Sequence, residues 1–153
     1  MKYLFALFRN PFLLTAVSSW LMAQVLKVLI NAVITRRFCL ERLFGDGGMP
    51  SGHSATVTSL AAIAGLTYGL DSFQFAVTAV LAIVVCHDAM GVRQETGKQA
   101  VMINEIVKTF TLLTEEALPE VKLKELVGHT PAQVMAGILL GIANALLMYY
   151  VIL

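Results

Sequence analysis

The chain is short of charge. Only 14% of its 153 residues are Asp, Glu, Lys or Arg, against about 25% in an ordinary soluble domain. That is too little to clothe a water-facing surface, and 58% of the residues are hydrophobic. The balance excludes a disordered chain and argues against a soluble globule. The net charge of +1 gives no basis for a nucleic-acid partner. Cysteine is scarce as well. Cys39 and Cys86 lie among apolar or mixed neighbours and read as small buried hydrophobes, not as a disulfide framework. Internal repeats and low-complexity stretches are missing. An apolar run after Lys2 stops at Arg9-Asn10-Pro11 with no small-residue cleavage site, so a cleaved signal peptide is not expected.

What is present is apolar helix, in a chain whose mean hydropathy is +0.76. The length fits one domain spanning residues 1–153. Pro11 to about Ile34 is long enough, at about 1.5 Å per residue, to cross a hydrocarbon core of about 30 Å. Asn10 is a suitable cap for it, and Pro11 suits a first helical position. Gln24 and Lys27 lie inside this span, where polar groups usually face a protein interior or a site. A second apolar segment covers Ser54 to about Leu70. The turn at Asp71-Ser72 leads into a third, from Phe73 to about Cys86, giving an antiparallel hairpin. Ala61, Gly65 and Gly69 form one small-residue face, and Gly137 and Gly141 form another in a last span from Pro131 to Leu153. Between these, Ile103, Ile106, Val107, Phe110, Leu113 and Ala117 recur at three and four, as in an amphipathic helix; the charged stretch with Pro119 should end it. The expected fold is an all-α polytopic helical membrane protein, with about four transmembrane helices and one amphipathic interfacial helix. The glycine faces also offer a surface for a homodimer.

Charge is unevenly placed. The loop after the first span carries Arg36, Arg37 and Arg42, and the region between the third and fourth spans carries Arg93, Lys98, Lys108, Lys122 and Lys124. Four crossings put these regions on one side, which the positive-inside rule makes cytoplasmic. Both termini, with Lys2 and Arg9, then lie outside. Two of the three histidines fall on the basic side. Gly47-Gly48-Met49-Pro50-Ser51-Gly52-His53-Ser54-Ala55 opens a helix whose free N–H groups can take an anion, with His53 beside it as a general acid or a hydrogen-bond donor. Gly128-His129-Thr130-Pro131-Ala132-Gln133 opens another. Thr130 and Gln133 there make a capping box, and an oriented His129 can attack phosphorus. Asp88-Ala89-Met90-Gly91-Val92-Arg93, with Lys98, Gln99 and Asn104 beyond, is the third element. Arg36, Arg37, Arg93 and Lys27 can clamp phosphate oxygens, although each also has a plain role as a membrane-surface anchor. A metal site made of His53, His87, Asp88 and His129 lacks close ligand spacing.

The ordered strings 47–55, 88–93 with Gly97-Lys98-Gln99-Ala100, and Val127–Pro131 resemble the type 2 phosphatidic acid phosphatase superfamily, which shares its site with vanadium haloperoxidases. They are most similar to its small divergent branch of bacterial and plant membrane proteins, over nearly the whole chain. The resemblance implies that His129 is the nucleophile forming a phosphohistidine. It implies that His53 protonates the leaving group, and that Ser51 and the Gly52 backbone bind phosphate. Lys27, Arg36 and Arg37 lie where the first motif's basic residues belong, at a different spacing. An arginine six residues before the nucleophile is replaced by Leu123, for which Arg93, or Lys122 or Lys124, would substitute. The acid that orients the nucleophile four residues on is replaced by Gln133, with Asp88 as another source of a carboxylate. The implied activity is metal-independent hydrolysis of a lipid mono- or diphosphate: polyprenyl diphosphate, phosphatidic acid or phosphatidylglycerol phosphate. No cofactor is implied, membrane lipids are the surroundings, and a bacterial plasma membrane is the expected location. The alternative is a non-catalytic lipid-phosphate binder or transporter that keeps the pocket. Haloperoxidase activity fits poorly, since those relatives are soluble.

Overall fold

A computed structural model describes residues 2–36, 48–114, 123 and 128–152. It is all helical among these residues: α1 (Lys2–Phe8), α2 (Pro11–Thr35), α3 (Gly52–Tyr68), α4 (Phe73–Met90), α5 (Val92–Thr114) and α6 (Pro131–Ile152). The helix starts are chemically explicit. Asn10 Oδ1 accepts from the N–H groups of Phe12 at 3.0 Å and Leu13 at 3.2 Å, with Pro11 at the first helical position. Ser51 Oγ accepts from the Ser54 N–H at 3.3 Å, and Ser72 Oγ from the Phe75 N–H at 3.2 Å. Each cap satisfies an N–H that the helix itself cannot.

α3 is the axis of the bundle, packed against α2, α4 and α6. Its closest neighbour is α6. A Cβ added at Gly137 would lie 2.5 Å from the Ser51 carbonyl oxygen, and one at Gly141 would lie 2.6 Å from that of Ala55. Only glycine allows two helix backbones to come this near. The Gly137/Gly141 face is therefore filled by α3 inside the chain.

Among the described residues, three helical stretches are long and apolar enough to cross a membrane: Pro11–Thr35, Phe73–Leu113 and Pro131–Val151. A fourth crossing is not among them. α3 has 17 residues, about 25 Å of helix, and its buried positions include Ser54 and Ser59 as well as alanines. Its composition answers to the helices around it more than to lipid. The amphipathic helix is present as α5, which packs on α4. Its Ile103, Ile106, Phe110 and Leu113 are exposed, while Ala117 lies outside the described residues.

A buried polar knot ties α2 to α6. The Asn144 amide Nδ2 donates to Ser19 Oγ at 2.7 Å, Ser18 Oγ at 2.9 Å and the Thr15 carbonyl at 3.1 Å. Ser59 of α3 donates to the Thr56 carbonyl at 2.9 Å beside it. Such bonds join helices in lipid, where apolar contact alone gives no preference for protein over solvent.

Candidate active site

The three sequence elements converge at one end of the bundle. The His129 N–H donates to the Ala89 carbonyl at 3.0 Å, which docks the start of α6 on the end of α4. The Ser51 N–H donates to the Gln133 carbonyl at 3.0 Å, which docks the start of α3 on α6. The His53 and His129 rings are thereby brought to 6.0 Å between centroids, inclined at 59°. Both rings can reach one phosphoryl group at that separation.

Gln133 gives His129 its direction. Its Oε1 accepts from the Thr130 N–H at 3.2 Å, and its own N–H donates to Thr130 Oγ1 at 3.4 Å, completing the capping box. The backbone donor identifies the atom facing it as the amide oxygen. The same oxygen is 3.2 Å from His129 Nδ1. An amide oxygen only accepts, so the contact is a hydrogen bond when Nδ1 carries the proton. Nε2 then holds the lone pair. His129 is 3% exposed, so its ring is held within protein.

The phosphate-binding candidates divide. Lys27 is 5% exposed and runs its stem under the loop. A Cβ at Gly48, whose φ of +89° also suits glycine, would lie 3.2 Å from Lys27 Cγ. Gly52 is the first residue of α3, where an N–H has no acceptor within the helix. Ser51 is fully buried and its Oγ serves as the cap of α3, also accepting from Ser54 Oγ at 3.0 Å. Arg36 ends α2 in the left-handed region, exposed, with φ 53°. It lies nine residues beyond Lys27, about 13 Å along the helix. Arg37, Lys122 and Lys124 lie outside the described residues. Arg93 is the second residue of α5, just past the turn at Gly91, and Asp88 is half-buried one residue before the carbonyl that holds His129. Among the described residues no three of His, Cys, Asp and Glu cluster as metal ligands would.

Two contributions went unassigned by the motifs. Asn104 of α5 grips the backbone of Leu123, its Oδ1 accepting the Leu123 N–H at 3.0 Å and its Nδ2 donating to the Leu123 carbonyl at 2.9 Å. The approach to His129 is thus anchored on α5 by an amide, at the position where the resemblance expects an arginine. Gln24 is the other: it is 7% exposed and its Oε1 finds no hydrogen-bond partner among the described residues. Its place in an apolar span was the one sequence signal for it.

Comparison with known proteins agrees with these motifs. A family model described as the divergent PAP2 family matches residues 8–144, a stretch that contains every motif. The chain belongs to the divergent PAP2 family. A relative within reach of this family member is an uncharacterized membrane protein, YuiD, of Bacillus subtilis (strain 168). The two are 41% identical over 147 residues, covering 90% of this chain and 93% of that one. No solved structure matches. With its apolar helices and this relative, the divergent PAP2 chain is a membrane protein, and its family relation connects it to phosphatases.

Proposed function

We propose that the protein is a lipid phosphatase acting through a phosphohistidine, without need of a metal. The observation that carries this reading is His129, held through Nδ1 by Gln133 and lying against His53 at the start of α3. The His129 Nε2 lone pair forms a bond to phosphorus while the bond from phosphorus to the lipid oxygen breaks. His53 gives its proton to that oxygen. Water then attacks the phosphohistidine, its proton passes to His53, and inorganic phosphate leaves with His129 restored. Lys27, the Gly52 N–H and the basic residues of both loops offset the phosphate charge. The substrate is a lipid mono- or diphosphate of the polyprenyl, phosphatidic acid or phosphatidylglycerol phosphate class.

In this reading α3 is a fourth crossing, shielded from lipid by its neighbours. The histidine end then faces the cytoplasm, because eight of the eleven Lys and Arg residues lie in the two regions at that end. A second reading, a lipid-phosphate binder or transporter without turnover, is favoured by Gln133, which orients His129 but adds no negative charge to stabilise the imidazolium.

Phosphate release decides between them. Purified protein in detergent is offered the three lipid classes with chelator present. Release that vanishes in His129→Ala and under vanadate supports the phosphatase. Lipid binding with no release from any of them removes it in favour of the binder.

A further inference from the structure

The buried amide whose oxygen has no partner among the described residues lies beside the site. Trp20, Gln24 and Lys27 fall on one stripe of α2, and that stripe meets the loop and helix start of the first motif. From where a Cβ at Gly52 would be, Trp20 Cδ1 is 3.4 Å away and Gln24 Nε2 is 3.8 Å away. Lys27 lies against Gly48 at the same loop. The Gln24 carboxamide therefore borders the first residue of α3, next in sequence to His53. Its Oε1 is buried and unbonded among the described residues. A buried acceptor without a donor destabilises the fold. Asn144 shows that this chain satisfies buried amides elsewhere.

The missing donor belongs to the ligand. A phosphate dianion has oxygens for the Gln24 N–H groups but no hydrogen for Oε1. A hydroxyl close to the phosphate has one. We infer that Gln24 is a specificity residue of the site, selecting lipid phosphates with a free hydroxyl on the carbon next to the phosphate-bearing one, as in a glycerol headgroup. This rests on the phosphatase reading and narrows its substrate. A site built to bond a hydroxyl rejects the analogue lacking it, because the protein's own polar group is then left unpaired.

The test compares phosphatidylglycerol phosphate with its analogue lacking the central hydroxyl of the headgroup glycerol, at matched acyl chains, on the full chain in detergent. The wild type should turn over the hydroxylated lipid with kcat/KM about tenfold or more above the deoxy lipid. Gln24→Met should erase that preference, chiefly by slowing the hydroxylated lipid, while its thermal midpoint holds or rises. A role in packing alone would lower the midpoint and slow both lipids alike, and that result overturns the proposal. So does a wild type that treats the two lipids equally, a comparison that needs no variant. If the wild type releases phosphate from neither, the phosphatase reading fails by itself. Native mass spectrometry of both lipids on both proteins then decides Gln24. Hydroxyl-dependent binding that disappears in Gln24→Met upholds it, and equal binding sinks it.

Discussion

Two levels along α2 each bury an amide, and they treat it in opposite ways. At one, Asn144 divides its amide hydrogens among three acceptors on α2. At the other, beside the histidines, Gln24 is also buried and its oxygen has no partner among the described residues. A satisfied polar group inside apolar surroundings fixes helices in place. An unsatisfied one weakens the fold and has its use when a ligand arrives. On the phosphatase reading, the difference separates a structural amide from a ligand-binding one. Changes beside the histidines should then cost activity and spare the fold, and changes at Asn144 should do the reverse.

The sharpest separation comes from His129→Ala. Loss of a nucleophile should lower phosphate release by about 1,000-fold or more, with a thermal midpoint near that of the wild type. Gly137→Leu attacks the fold instead. Its side chain would meet the Ser51 carbonyl, forcing α6 off α3 and costing at least about 2–3 kcal/mol, read as lost thermal stability in detergent. Because Ser51 also caps α3, this variant should lose activity in step with folding. Asn144→Leu should destabilise by about 1–2 kcal/mol, the scale of interhelical hydrogen bonds in membranes. Its kcat in the folded fraction should be unchanged, and a specific loss of turnover there would break the division between the two amides.

Smaller effects sharpen the site itself. Gln133→Glu keeps the capping box and adds the charge that Gln133 lacks. It should raise kcat by about tenfold by stabilising the imidazolium that forms as the leaving group departs. An unchanged or lowered kcat would show that charge at this position is not what limits the enzyme. Asn104→Ala should release the Leu123 backbone and reduce kcat/KM a few-fold, with about 1 kcal/mol or less lost in stability.

Much of this organisation was legible because it is local. Asn10-Pro11 and Thr130-Pro131-Ala132-Gln133 announce helix starts through bonds that span three or four residues, and the structure forms those bonds. The small faces at Gly65 and Gly137/Gly141 were legible too, but not what would fill them. The role of α3 was the least legible because it is encased: burial by other helices admits serine and threonine, and the apolar length rule presumes contact with lipid. Asn104 and Leu123 stand 19 residues apart, and no periodic pattern joins an amide on one helix to a backbone beyond its end.

The sequence by itself determined that the protein is helical, that it belongs in a membrane, and that two histidines open two helices among basic loops. Composition and capping chemistry suffice for this, since both act over short stretches of chain. Tertiary structure alone decided that the two rings lie 6.0 Å apart, and that, among the described residues, Asn144 is satisfied while the Gln24 oxygen is not. Whether a buried polar group has a partner depends on what another helix brings to it, and that is a property of the packed bundle.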